Sequence, residues 1–131
     1  MRPKKIWANL GVKDVAQTRA FYTALGFKSN EGHNKGTELT SFLVGDDDFV
    51  VHFFQKEGLE KFLKEELADL KLGSEIVFTL GAESKDEVNA WAEEVRKAGG
   101  TILSGPEEFG EGYYGFTFSD LDGHKWNVFY M

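Results

Sequence analysis

Residues 5–12, KIWANLGV, alternate: Ile6, Ala8, Leu10 and Val12 share one face, and Trp7, Asn9 and Gly11 the other. A period of two predicts a strand. Asp14 then stands ahead of a helical pattern, with Gln17 three residues later as in a capping box. Val15, Thr18, Phe21, Tyr22 and Leu25 recur at helical spacing, and Gly26 closes the helix as a C-terminal left-handed residue does. Phe27–Ser29 reads as a short strand and 30–36 as a loop. Glu38–Val44, an acidic turn at Asp46–Asp48, and Phe49–Gln55 read as a hairpin. Over 57–72, Leu59, Phe62, Leu63 and Leu67 sit at helical intervals among Lys and Glu, which predicts an amphipathic linker helix.

The pattern then restarts. Residues 75–80 alternate, with Ile76, Phe78 and Leu80 on one face and Glu75, Val77 and Thr79 on the other. Ser84 and Glu87 form a second capping box. Val88, Trp91, Val95 and Ala98 give an apolar stripe that Gly99-Gly100 ends. Thr101–Leu103 reads as a short strand, 105–112 as loop, Tyr113–Phe118 as a strand, 120–123 as a turn and Lys125–Tyr130 as the last strand. The order strand, capped helix, glycine, short strand, loop and hairpin thus occurs twice, and repeats of this kind define an architecture. The expected fold is α+β: two βαβββ modules, 4–55 and 74–131, in one domain. Their strands form a curved mixed sheet around a cavity, with the helices on the outer face.

Composition narrows the function. The chain has 131 residues, a length that suits one domain. Aromatic residues make up 15%, which suggests a tightly filled core or an aromatic-lined cavity. Absence of cysteine excludes disulfides, thiolate metal sites and a Cys nucleophile. The charged N-terminus leads into no long apolar run, so neither a signal peptide nor a membrane anchor is expected, and the location expected is cytoplasmic. A net charge of −7 with scattered lysines gives no footprint for nucleic acid or an anionic membrane. Phosphate-binding glycine motifs and hydrolase signatures are absent.

A few residues carry candidate chemistry. His52 interrupts the apolar run Phe49–Phe54, where a core position and a functional one compete. Asn9 interrupts another apolar strand, and a buried amide needs partners. Trp7 is either packing or a flat stacking wall for an aromatic ligand. His33, in a polar loop, and His124, in a turn, are expected in solvent. Tyr113 and Tyr114 lie beside the Gly110-Glu111-Gly112 loop, where surface packing and a lid compete.

Two stretches resemble a known family. Asn9-Leu10-Gly11-Val12-Lys13-Asp14 followed by Ala20-Phe21-Tyr22-Thr23-Ala24-Leu25-Gly26-Phe27 is similar to the opening of a vicinal-oxygen-chelate module. Phe118-Ser119-Asp120-Leu121-Asp122-Gly123-His124-Lys125-Trp126-Asn127-Val128 is similar to the closing pattern, with Leu121 in place of the usual Pro and Asn127 in place of the usual Glu. This superfamily includes glyoxalase I, bleomycin-resistance proteins and extradiol dioxygenases. Within it the chain looks nearest to small bacterial proteins labelled predicted lactoylglutathione lyase.

The resemblance implies four metal-ligand positions, from the first and last strands of each module: Trp7, His52, Glu75 and Asn127. His52 and Glu75 can ligate a divalent ion. Indole nitrogen is a donor only, so Trp7 cannot, and Asn127 offers a neutral amide oxygen where a carboxylate is usual. No tightly held cofactor is therefore expected, the alternative being a divalent Zn, Ni, Mn or Fe ion on His52 and Glu75. If catalytic residues exist, they are His52 and Glu75, a pair able to move a proton. The ligand-binding residues expected are Trp7, Asn9, Phe54, Thr79, Asn127 and Phe129. Two function classes remain: a protein that captures a small organic ligand, and a metal-dependent lyase or isomerase of the glyoxalase type. The substitutions at Trp7 and Asn127 favour the first. The resemblance also implies a homodimer.

Overall fold

The strand predicted at the start of the chain forms as β1 (Trp7–Val12), and its alternation decides which face it buries. Val12 is buried and Ala8 and Leu10 are half-buried, while Trp7 and Asn9 are exposed. Asp14 caps α1 (Val15–Ala24), its carboxylate accepting from the Gln17 N–H at 3.1 Å. Satisfying an orphan N–H in this way is what makes Asp favourable there. Gly26 takes φ 88°, the left-handed conformation its place after the helix requires. β2 (Lys28–Ser29), β3 (Leu39–Val44) and β4 (Phe49–Gln55) follow, then α2 (Lys56–Leu63).

The computed structural model describes all residues 1–131 and divides into two compact units, Met1–Ala68 and Asp69–Met131. The first unit is a four-stranded mixed sheet in the order β1-β4-β3-β2. β1 and β4 run parallel, and the other pairs are antiparallel. α1 packs on one face against β3 and β4. Val15, Thr18, Phe21, Tyr22 and Leu25, the positions picked out by spacing, are all buried. Tyr22 stacks on Phe53 with ring centres 4.6 Å apart and tilts against Phe42 at 5.7 Å. Dense aromatic packing of this kind makes truncation costly, about 3–5 kcal/mol for a buried Phe→Ala.

The second unit repeats the scheme with β5 (Val77–Ala82), α3 (Lys85–Ala98), β6 (Thr101–Glu108), β7 (Tyr114–Ser119) and β8 (Lys125–Tyr130). Its sheet order is β5-β8-β7-β6, again with one parallel pair, β5 with β8. Ser84 caps α3 through the Glu87 N–H at 3.0 Å, and the Glu87 carboxylate reaches back to the Glu83 N–H at 2.8 Å. Val88, Ala92 and Val95 bury against a face built from Phe116, Phe118, Trp126 and Val128. Within each unit one sheet face is covered by its helix and the other stays open. This is the α+β arrangement of two βαβββ modules.

Three expectations need correction. The linker helix expected over 57–72 is shorter: α2 ends at Leu63, where Lys64 turns left-handed at φ 58°. Of the four apolar positions used to predict it, only Leu59 is buried, while Phe62 is 83% exposed, so nothing packs against a longer helix. The loop expected at 105–112 is partly strand, because β6 runs on to Glu108. Its register skips between Ser104 and Glu107, which takes Gly105 and Pro106 out of the ladder, and an edge strand accommodates a proline at such a bulge. Finally, Glu75 does not open a strand: β5 starts two residues later, at Val77, and Ile76 is exposed instead of buried.

The closing Asp120–His124 motif is a turn organiser. Asp120, 5% exposed, accepts from the Asp122 and His124 N–H groups at 3.0 and 2.9 Å, and its own N–H donates to the His124 carbonyl at 2.9 Å. A side chain that mimics a backbone turn explains the Asp here without a ligand role.

Candidate functional site

The open face of each sheet carries a polar row running across the strands. In the first unit Asn9 faces His52 across the β1–β4 ladder, and His52 faces Ser41 across β4–β3. In the second, Thr79 faces Asn127 and Asn127 faces Thr117. The two rows hold equivalent places, because both sheets have the same strand order. Two residues further along, Phe54 lies opposite Gly11 and Phe129 opposite Gly81. Six of the residues expected to bind ligand or catalyse, Asn9, His52, Phe54, Thr79, Asn127 and Phe129, thus fall into three equivalent pairs.

The same register places Val77, not Glu75, as the counterpart of Trp7: Trp7 lies opposite Val50 and Val77 opposite Lys125, each two residues before the central polar position. Glu75 lies ahead of the strand and is exposed. Its expected position on the open face of a strand is therefore not formed.

His52 is the centre of the first row. Its Nδ1 lies 2.8 Å from the Ser41 Oγ. Three aromatic rings surround it: Trp7 at 6.5 Å between centres, Phe54 at 5.7 Å and His33 at 5.8 Å. Trp7 and Phe54 both meet it edge-on. Burial first, and the neighbouring His33 second, hold the His52 pKa below its ordinary value. This favours the uncharged imidazole at neutral pH.

His33 was expected in solvent. It is exposed, but the loop that carries it is folded back onto β3 and brings its ring to His52. Asn30 and Asn34 hold that loop. The Asn30 N–H donates to the Ser41 carbonyl at 3.0 Å, and the Asn34 Nδ2 donates to the same carbonyl at 3.1 Å and to Ser29 Oγ at 2.8 Å. Arg19 of α1 clamps the loop from the other side. Its guanidinium donates to Asn34 Oδ1 at 3.0 Å and to the Gly36 and Leu39 carbonyls at 2.9 and 3.0 Å. A planar fork with several donors suits such a task. Ser41 could have been found from strand parity, which puts it on the His52 face. The loop residues gave no such signal.

In the second unit Asn127 is held at both ends of its amide. Its oxygen accepts from the Thr117 hydroxyl at 2.6 Å, and its Nδ2 donates to Thr79 Oγ1 at 3.2 Å. Phe129 packs on Phe109 with centres 5.3 Å apart and lies over Gly115, where a Cβ would come within 2.0 Å of its ring. Tyr114 donates to Asn89 at 2.6 Å and lies under the Lys85 ammonium. Two surface clefts lie elsewhere. One is formed by α2 and the residues after it, the other by Lys85, Glu108, Tyr113, Tyr114 and Tyr130, with about 250 Å³ of space.

A metal does not fit the donors at the positions where the resemblance puts it. Trp7 offers no lone pair, and Glu75 stands outside its strand, leaving Val77, which has no donor atom, in the place equivalent to Trp7. The Asn127 oxygen is neutral and already accepts a hydroxyl. His52 alone has a nitrogen suited to a transition metal. Nowhere are three or more His, Cys, Asp or Glu residues arranged so that they could hold a metal ion.

Residues 6–128 match the glyoxalase/bleomycin resistance protein/dioxygenase superfamily, and the chain belongs to that family. No curated protein matches it. Among solved structures, a hypothetical protein from S. aureus is 27% identical, with a TM-score of 0.87, and the match covers 100% of this chain and 96% of that one. A genomically encoded fosfomycin resistance protein from Listeria monocytogenes matches at 15% identity and TM-score 0.72, covering 100% and 93%. A lactoylglutathione lyase from Agrobacterium tumefaciens matches at 17% and 0.70, covering 98% and 95%. At these low identities the last two bear on the fold alone. No helix of the chain is long and apolar enough to cross a membrane.

Proposed function

We propose that this protein binds a small organic molecule on the open faces of its sheets, without a tightly held catalytic metal. Trp7, Phe54 and Phe129 supply apolar contact, and Asn9, His52, Thr79 and Asn127 supply a small number of placed polar groups. That mixture is what small-molecule sites generally present. The observation that carries the reading is the in-register polar row flanked by aromatic rings in both sheets, built from side chains that suit hydrogen bonding and not metal coordination. A catalytic pairing of His52 with Glu75 has less support, because Glu75 stands outside its strand.

Homodimer formation belongs to the same reading. Ile6, Trp7, Ile76 and Val77, at the start of the two first strands, remain 48–79% exposed, which leaves apolar surface for a second copy to cover. Cysteine-free composition fits a cytoplasmic location. Sedimentation at micromolar concentration is expected to give a dimer.

The test of the main reading combines metal content with ligand capture. Protein purified without chelator is expected to carry well under one transition metal per chain. A library of aromatic fragments is expected to give hits that perturb Trp7 and are weakened by Trp7→Ala. One tightly bound metal per chain, together with turnover of a thiol adduct, would replace binding by a metal-assisted lyase.

A further inference from the structure

Ser41 is fully buried, so both its lone pair and its proton must find partners inside the protein. Two groups meet its Oγ. Asn30 Nδ2 donates to it at 3.1 Å, and His52 Nδ1 lies 2.8 Å away. Asn30 brings a proton, so the serine's own proton has one remaining direction, toward His52. The imidazole Nδ1 then accepts. A neutral imidazole that accepts at one nitrogen carries its proton on the other.

We infer that Asn30 and Ser41 fix His52 as the neutral Nε2–H tautomer, which makes it a hydrogen-bond donor selecting aromatic ligands that carry a carbonyl or carboxylate oxygen. The inference rests on the binding reading above for its ligand and on the Ser41 contacts for its tautomer. Two observations converge on it. Trp7 and Phe54, edge-on to His52, leave aromatic surface beside the donor. Asn9, in register with His52 on β1 and exposed, offers a second amide donor on the same sheet face. Ser41 and Asn30 act through His52 and are positioning residues. With its proton on Nε2, His52 cannot serve as a general base toward a ligand there.

The chain has three histidines, so their ring nitrogens are separable in a long-range 1H–15N spectrum. At pH 7.5 the free protein is expected to show His52 with a protonated Nε2 and a bare Nδ1. Asn30→Ala and Ser41→Ala should both turn this into a tautomer mixture, and Ser41→Thr should restore it, since Thr117 holds the equivalent place in the second sheet. Asn30→Ala serves where Ser41→Ala does not fold. Benzoate is expected to shift Nε2 and to bind about 3- to 10-fold more weakly to Asn30→Ala, the worth of one hydrogen bond. Benzylamine, which presents only donors, is expected to leave Nε2 unmoved. A protonated Nδ1 in the free protein overturns the tautomer assignment, and a benzylamine shift equal to that of benzoate overturns the selectivity. If the tautomer is as stated but neither probe perturbs Trp7 or His52, the binding reading fails while the role of Ser41 stands.

Discussion

Leu67 lies directly over Gly11: a Cβ built on that glycine would come 2.2 Å from the Leu67 Cδ1. Gly11 sits on the open face of β1, so this contact brings the segment after α2 onto that face beside Phe54, two residues beyond Asn9. A further bond holds the segment there, since the Leu67 N–H donates to the Glu60 carboxylate at 2.9 Å.

Gly11→Ala is therefore expected to displace the Leu67 side chain and to be less favourable than the same change at a glycine with open space above it. The equivalent Gly81 meets nothing within 4 Å, and Gly81→Ala should be close to neutral or slightly stabilising. Urea denaturation of the two variants compares them. Equal effects would show that Leu67 does not rest on Gly11 in solution.

Arg19 is expected to control the order of the loop that carries His33. Its three acceptors lie on Asn34, Gly36 and Leu39, and removal of the guanidinium leaves them without that donor. Arg19→Ala should speed amide exchange across residues 30–37 while leaving β4 protected. Arg19→Lys should rescue little, because a single ammonium does not reproduce the fork. Unchanged exchange in Arg19→Ala would show that Asn30 and Asn34 suffice.

Much of this architecture was legible from periodicity. Alternation in 5–12 and 75–80 put Trp7, Asn9, Gly11, Val77 and Thr79 on one face, and Asp14, Ser84 and the glycines after α1 and α3 marked the ends of those helices. What misled was register at the start of the second module. Glu75 was matched to Trp7 by carrying over a ligand pattern, whereas Leu10-Gly11-Val12 aligned with Leu80-Gly81-Ala82 puts Val77 there. That short internal match was available in the sequence. Phe62 and Leu63 misled for a different reason: helical spacing shows where apolar residues point, not whether anything covers them. The approach of His33 to His52 depends on a loop held by Arg19 and two asparagines, and long-range polar contacts leave no periodic trace.

The lowered pKa of His52 makes stability depend on pH in a definite sense. Protonation is harder in the folded state, so the unfolded chain binds the extra proton more readily and stability falls with falling pH. The His52 contribution is present above the ordinary histidine pKa, about 6.5, and is lost as pH falls from there to the lowered folded value. His33 from the loop is the titratable neighbour, while Trp7, Asn9 and Ser41 on the adjoining strands carry no charge. His33→Asn removes the second cause and should raise the His52 pKa, narrowing the window. Titration of the His52 ring by NMR checks the direction. A downward shift in His33→Asn would contradict the repulsion.

Added metal is expected to leave the melting temperature nearly unchanged. A ligand that binds only the folded state stabilises it by RT ln(1 + [L]/Kd), so the shift reports affinity directly. On the open faces His52 is the one strong donor, because Trp7 contributes nothing, Glu75 stands outside its strand and Asn127 is occupied by Thr117. Water would have to complete the coordination, and such a site is weak. At a concentration tenfold below Kd the gain is about 0.1 kcal/mol or less, which corresponds to under about 1 °C in Tm for a chain of this size. Zn, Ni, Mn and Fe at modest concentration should each fall in that range, and EDTA should do the same. Ser41→Ala offers a second readout: if the His52 nitrogens bind no metal, freeing Nδ1 from its hydroxyl changes nothing. A stabilisation of several degrees by one metal, lost in His52→Ala, would mean that the protein assembles a coordination shell from residues beyond this row.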